Sequence, residues 1–338
     1  MKRYLSIFAS LALFIITIPC LAFIGTSKPP YTSKKTSSVI ASSDTKKTAD
    51  ADNFKLYNHK TKKVETISVR DYLIGVVGAE MPASFHTEAL KAQAVASHTY
   101  ALNMKSGQQK SPNKSLNGAD LSTDPATSQS YMTNEELKEF YGEHFDTYYK
   151  KISGAVDSVI DKVVIYQNEP IAAAFHSISG GLTEDPANVW GKSLDYLKPV
   201  LSDGDFLAPD YESKVTLTSD EMKTKLSAKF SGIQWTAEPA KWITIKTLTD
   251  SKSVKEADIC GTTVSGTDLR SALGLNSAYF TFSFADGKFT FDVKGKGHGV
   301  GMSQYGADYL ARQGKSYEDI LKYYYSDVAV AALEKTIG

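Results

Sequence analysis

An uninterrupted apolar stretch opens the chain. From about Tyr4 to Ile24 it carries no charged residue, and Lys2 and Arg3 stand just before it. About 20 apolar residues suffice to cross a bilayer as a helix. Positive charge on the N-terminal side predicts that this end stays in the cytoplasm and that the rest lies outside. A cleaved secretory signal is the other reading, with Leu21-Ala22 as a weak small-residue site. The length of the stretch favours an uncleaved, single-pass anchor in the cell membrane over residues 1–25. Pro19 stands before Cys20, where lipidation would want a small residue. Residues 26–52 are rich in Ser, Thr and Lys and almost free of large apolar side chains, which predicts a solvated tether.

From Asn53 the pattern becomes that of a folded domain. Phe54 to Val69 alternates and predicts a hairpin around Asn58-His59-Lys60, followed by a mixed apolar run to Val77. His86 to about Lys105 is alanine-rich, with Ala89, Leu90, Ala94, Ser97, Ala101 and Leu102 near one face, and predicts a closely packed helix. Lys105 to Asp124 reads as an exposed loop. Asn134 to Ile152 predicts a second helix, capped by Asn134 and with Glu135-Glu136 in its first turn. Val163 to Phe175 reads as two strands joined by Gln167-Asn168-Glu169-Pro170. Helices follow at Ser219–Phe230 and Gly266–Leu273, the second ended by Gly274. Tyr279 to Val293 predicts a hairpin closed at Asp286-Gly287. Helices interspersed with antiparallel hairpins, without a βαβ rhythm, predict an α+β fold. It occupies residues 53–338 as one main core, with a smaller lobe at about 214–273.

Composition narrows the partners. Charges balance at 38 basic and 38 acidic residues, so nothing favours nucleic acid or another polyanion. Of the two cysteines, Cys20 lies in the apolar run and Cys260 beyond it, so they cannot pair. That excludes a disulfide scaffold and a cysteine-built zinc site, and leaves stability to the core.

The candidate chemistry lies in three polar, glycine-bearing loops, Gly78–Phe85, Phe175–Glu184 and Gly295–Gly306, each expected to follow a strand. In the third, five glycines surround His298, Ser303, Gln304 and Tyr305 before a helical pattern that begins near Tyr309. Such spacing suits a backbone that approaches something closely, with helix N–H groups pointing at it. It matches neither a dinucleotide nor a P-loop fingerprint. Glu80 has Gly78, Ala79, Met81 and Pro82 around it and no basic neighbour, which would favour its protonated, acid form. An ordinary surface glutamate is the plain alternative. His298 could be a base, a metal ligand or a partner for backbone. His176-Ser177 lacks a nucleophile elbow, and neighbours on a strand face opposite ways. His86, His98, His144, His176 and His298 lack the i, i+4 pairing of a zinc site, so no metal or other cofactor is expected.

Taken together, these motifs resemble the stage II sporulation protein D family. The resemblance rests on Gly78-Ala79-Glu80-Met81-Pro82 with the Glu88–Ala96 run, on Phe175–Gly181 and on Gly297–Ala307, and it covers nearly all of Phe54 to Tyr325. It implies a membrane-anchored lytic transglycosylase that cuts peptidoglycan glycan strands stripped of stem peptides during engulfment of a forespore. The implied partners are an amidase-endopeptidase and a further membrane protein. By motif, the family's acidic residue falls on Glu80. The resemblance also implies substrate contacts at Gln93, His98, Ser177, Ser179, Tyr196, Lys198, His298, Gln304 and Tyr305. Ordinary glycosidases use two carboxyl groups. A lytic transglycosylase needs one, because the sugar's own 6-hydroxyl replaces water. This chain departs from the family at two places: Asp124–Ser130 holds no cysteine where some relatives bind zinc, and His98 stands where arginine is common. A non-catalytic glycan-binding module that stimulates an amidase is the competing expectation.

Overall fold

The computed structural model describes residues 53–333. The expected anchor, the tether and Cys20 lie outside the described residues. Among those described, no helix is long and apolar enough to cross a membrane. The described fold is α+β with mainly antiparallel sheets. Its helices are α1 (Val69–Glu80), α2 (Thr87–Lys110), α3 (Asn134–Tyr141), α4 (Phe145–Asp157), α5 (Pro186–Trp190), α6 (Ser219–Lys229), α7 (Gly266–Leu273), α8 (Gln304–Arg312) and α9 (Tyr317–Tyr324).

The first core forms around α2, which packs on α1, α4, α8, α9 and the strand Lys162–Tyr166. An alanine-rich helix can be buried on nearly all sides because small side chains let several neighbours approach its backbone. Ala89, Ala92, Ala94, Ala96 and Ala101 are all buried there. One small sheet sets Asn53–Tyr57 antiparallel to Val64–Ser68 and parallel to Leu121–Ser122. A second sets Lys162–Tyr166 between Ala329–Ala332 and Glu169–Pro170.

Several local readings are corrected. Lys105–Asp124, expected as an exposed loop, continues α2 to Lys110 and holds the buried strand Leu121–Ser122, and Glu169–Pro170, expected in a connection, is a short strand. The loop bearing Glu80 follows a helix, not a strand. Val69, Val76 and Val77 favour strand in isolation. However, Ser68 caps the segment by accepting from the Asp71 N–H, and Tyr72 to Gly78 are all buried, which suits a helix enclosed on every side. Thr133, not Asn134, caps α3, in a capping box with Glu136. The single helix expected over Asn134–Ile152 is broken after Tyr141, where Gly142 has φ 54°. The turns at Gln167-Asn168 and Asp286-Gly287 form as expected, with positive φ at both residues of each.

A second apolar cluster draws on Leu217 to Val293. Glu212–Thr218 and Phe280–Ala285 flank Lys288–Lys294, and Val254–Ile259 lies between Ile243–Leu248 and Thr262–Ser265, with α6 and α7 alongside. The glycine-rich segment returns the chain to the first core, where Met302-Ser303 pairs in parallel with Phe175-His176. Gly301 sits at φ 74°, and a Cβ there would overlap the carbonyl of Ala174. The close approach predicted for this loop is therefore to another stretch of the same chain. Gly301→Ala is expected to destabilise the fold by about 1–3 kcal/mol, through positive φ and overpacking together, as a lowered denaturation midpoint with unchanged m.

Candidate active site around Glu80

Glu80 closes the C-terminal end of α1, where the chain turns into Met81 with extended backbone. Its Oε1 accepts the backbone N–H of Ser130 at 2.6 Å, and its Oε2 accepts Gln304 Nε2 at 3.3 Å. The residue is only partly exposed and protein surrounds its carboxyl densely, so the acid is poorly hydrated. Desolvation raises its pKa above the ordinary carboxylate value, against the opposing pull of the Ser130 and Gln304 hydrogen bonds.

Three segments hold this position. From α2, Gln93 accepts Gln304 Nε2 on its Oε1 at 3.4 Å and donates from its own Nε2 to Ser97 Oγ at 2.9 Å. From the segment between the first sheet and α3, Gln129 Nε2 donates to Tyr72 Oη at 2.9 Å and to the Ser97 carbonyl at 3.1 Å, which ties that segment to α1 and α2 together. Gly75 lets it lie close, since a Cβ there would overlap the Met132 carbonyl and the Tyr131 ring. The loop after Glu80 is fixed from outside: Lys151 Nζ donates to the Ala83 carbonyl at 2.8 Å and to the Phe85 carbonyl at 2.6 Å. Phe85 meets the Tyr305 ring edge to face, 4.9 Å between centroids.

Of the residues expected at the site, Glu80, Gln93 and Gln304 converge, and Tyr305 stands on the next position of α8. The others are placed elsewhere. His98 is buried against Phe54 and beside the backbone of Ile160 and Lys162, with no well-formed hydrogen bond to either ring nitrogen. Burial lowers its pKa to about 4, so it is a neutral core residue and does not replace an arginine at the surface. His298 is committed to backbone: its Nδ1 accepts the Val300 N–H at 3.1 Å and its Nε2 donates to the Phe175 carbonyl at 2.8 Å. Ser179 is buried and spends its hydroxyl on the Gly181 N–H, while its own N–H donates to the buried Asp205. The Ser177 carbonyl accepts the Tyr305 N–H. Tyr196 Oη accepts the Ala172 N–H, and Lys198 pairs with Asp327 at 3.7 Å on the surface.

The glycine loop is not a row of open donors. The N–H groups of Gly295, Lys296, Gly297, Val300, Met302 and Tyr305 are all engaged within the protein. Sequence reasoning missed Ser130, Ser97, Gln129 and Tyr100. The Tyr100 hydroxyl lies beside Ser128 and feels the charge of Glu80, and its pKa is pushed up to about 12, first by burial. The signal for Gln129 and Ser130 lies in the polar Asp124–Ser130 segment that precedes α3. Among the described residues, no three His, Cys, Asp or Glu side chains converge as a metal site requires.

The sequence model of the family described as Stage II sporulation protein matches residues 57–166, which include Glu80, Gln93 and Ser130. The chain is 38% identical over 278 residues to the stage II sporulation protein D of Bacillus subtilis (strain 168), covering 82% of this chain and 78% of that one. To the protein of that name from Bacillus amyloliquefaciens it is 37% identical over 284 residues, covering 84% and 80%. It is also 30% identical over 310 residues to a Bacillus subtilis protein named amidase enhancer, across 75% of this chain and 39% of that one.

Two stability measurements follow. Glu80 binds its proton more tightly in the folded state, so its contribution is full below the unfolded carboxyl pKa and is lost as pH rises through the folded one. Glu80→Gln should therefore gain stability relative to the wild type as pH rises, by about 1.4 kcal/mol for each unit separating the two pKa values, read from denaturant unfolding at a series of pH values. His98 and His176, each lowered to about 4 by burial, act in the opposite sense. Stability should fall as pH drops from about 6.5 toward 4, and His98→Leu should make that fall shallower in pH-dependent melting.

Proposed function

Since the chain belongs to the stage II sporulation protein D family, we propose that it is a lytic transglycosylase acting on peptide-free glycan strands of the cell wall, with Glu80 as its one acid and base. The observation that carries this reading is the solitary carboxyl. The polar groups bonded to Glu80 are Ser130 and Gln304, and among the described residues no other carboxylate is a cause of its raised pKa. A hydrolase of the usual kind needs such a partner 5–10 Å away, as an approximate range.

The chemistry runs on one proton. Protonated Glu80 gives its hydrogen to the glycosidic oxygen as that oxygen leaves C1 of the muramic residue. The resulting carboxylate is stabilised by the Ser130 N–H and the Gln304 amide. It then takes the proton of the same sugar's 6-hydroxyl while that oxygen bonds to C1, so a 1,6-anhydro ring closes and Glu80 returns to its starting form. No water enters, and the nucleophile is already attached to the electrophile, which supplies much of the rate advantage. The raised pKa suits a group that must be protonated first. Tyr305, beside Phe85, offers a partly exposed aromatic edge for a sugar.

Membrane anchoring through the N-terminal apolar run, with the folded part outside the cytoplasm, belongs to the same proposal. So does work beside an amidase-endopeptidase and a further membrane protein during engulfment. A second reading is favoured by the similarity to a protein named amidase enhancer: a glycan-binding module that stimulates a partner amidase without cutting. Glu80 separates the two readings.

Incubation with peptide-free glycan strands should release 1,6-anhydro-muramic ends, seen by mass spectrometry, and Glu80→Gln should reduce the rate at least about 1,000-fold while glycan binding persists. Reducing ends would refute the one-carboxylate mechanism. Unchanged binding with no cleavage by either protein would favour the enhancer. Because the acid form starts the reaction, kcat/KM should fall on one limb only, as pH rises through the raised Glu80 pKa, with no second carboxylate limb on the acid side.

A further inference from the structure

Ser97, Gln93, Gln304 and Glu80 stand in single file, each joined to the next by a hydrogen bond. Gln93 and Ser97 are wholly buried and Gln304 nearly so. In the order present, Gln93 Nε2 donates to Ser97 Oγ, and the Gln304 amino group donates both to Gln93 Oε1 and to Glu80 Oε2. A carboxamide carries two donors on one atom and two lone pairs on the other, and a hydroxyl both donates and accepts. Turned half round about its last bond, each amide therefore offers the opposite polarity at the same places.

We propose that this file is a reversible relay that serves both protonation states of Glu80. With Glu80 ionised, it runs as the structure holds it, with Ser97 accepting at the far end. With Glu80 protonated, both amides turn over. The acid O–H then donates to Gln304 Oε1, Gln93 Nε2 donates to that same oxygen, and Ser97 Oγ donates to Gln93 Oε1. Three hydrogen bonds join the file in each state, so the contact between each member and the next is kept whichever form Glu80 takes. The inference rests on the reading of Glu80 as both acid and base, since only a carboxyl that alternates needs both forms accommodated. Gln93 and Ser97 then act through Gln304 as positioning residues and are not sugar contacts.

Few other charges could blur the readout. The titratable groups that feel Glu80 are Tyr72 on its own helix and Tyr100 on α2, both held protonated by burial. The Asp124–Met132 segment brings Ser128, Gln129 and Ser130, whose side chains do not titrate, and its Tyr131 faces Glu136 and Glu65. From α8 comes Gln304.

The test is an NMR titration of the full chain carrying 15N-labelled glutamine side chains and 13C-labelled glutamate carboxyls, with Gln93→Met, Gln304→Met and Glu80→Gln used for assignment. The relay requires the side-chain amide signals of Gln93 and of Gln304 to shift with the same midpoint as the Glu80 carboxyl, and to stay flat in Glu80→Gln. Gln93 signals that stay flat through that midpoint would overturn it, leaving Gln304 a fixed donor. Ser97→Ala keeps both amides and removes the reversible end. It should abolish the Gln93 co-titration and lower kcat several-fold at unchanged KM, whereas a raised KM with co-titration intact would make these residues substrate contacts. The titration needs no turnover, so an inactive protein would count against the proposed reaction and leave the relay readable.

Discussion

The organisation of the first core turns on one poorly hydrated carboxyl, that of Glu80. Burial alone would make Glu80 a permanently neutral acid, and full hydration would make it an ordinary surface carboxylate. The structure sets it between these limits by giving its anion two donors, the Ser130 N–H at 2.6 Å and the more distant Gln304 amide at 3.3 Å. Those donors come from segments 50 and 224 positions away in sequence, so the site exists only once the whole first core has assembled.

That assembly is made possible by α2. A helix of larger side chains would hold its neighbours farther off, and the Gln93–Gln304 and Gln129–Ser97 contacts would open. Alanine at 89, 92, 94 and 96 brings the surrounding helices within reach of short polar side chains. The same closeness explains why small residues recur where backbones cross: Gly75 under Tyr131 and Met132, Gly78 under Leu137 and Gly306 under Tyr324. Packing and chemistry are here the same constraint, since the atoms that fill the core also fix the donors.

Much of this was legible in the sequence, and what was missed has physical reasons. The helix expected from His86 to about Lys105, the hairpin turns and the mixed α and β character followed from periodicity and turn chemistry, whereas Lys105–Asp124, expected as an exposed loop, continues the helix to Lys110 and holds the buried strand Leu121–Ser122. The helix of Glu80 was not legible, because a valine-rich run enclosed on all sides has no polar face to reveal its period. Glu80, Gln93 and Gln304 were found through motif resemblance. Ser130 was not, because it contributes a backbone N–H, which leaves no mark on residue type. The histidines misled in a consistent way. His98, His176 and His298 look chemical in a sequence, yet burial keeps each neutral, and His98 and His298 are taken up with packing or backbone.

The second core leaves and rejoins the chain at almost one point. The Gly295 N–H donates to the Tyr211 carbonyl at 2.7 Å, and the first and last strands of the excursion pair Glu212 with Lys294. A segment whose ends already touch contributes to the rest of the molecule as a closed loop, and the entropy of closing a loop grows only slowly with its length. Changes of length in the parts of this segment away from Thr249, Ser251, Asn276 and Tyr279, which hold Glu184, Gly297 and Gly180, would thus leave the path of the chain around Glu80 unaltered. Those parts can vary in size and surface while the first core stays as it is.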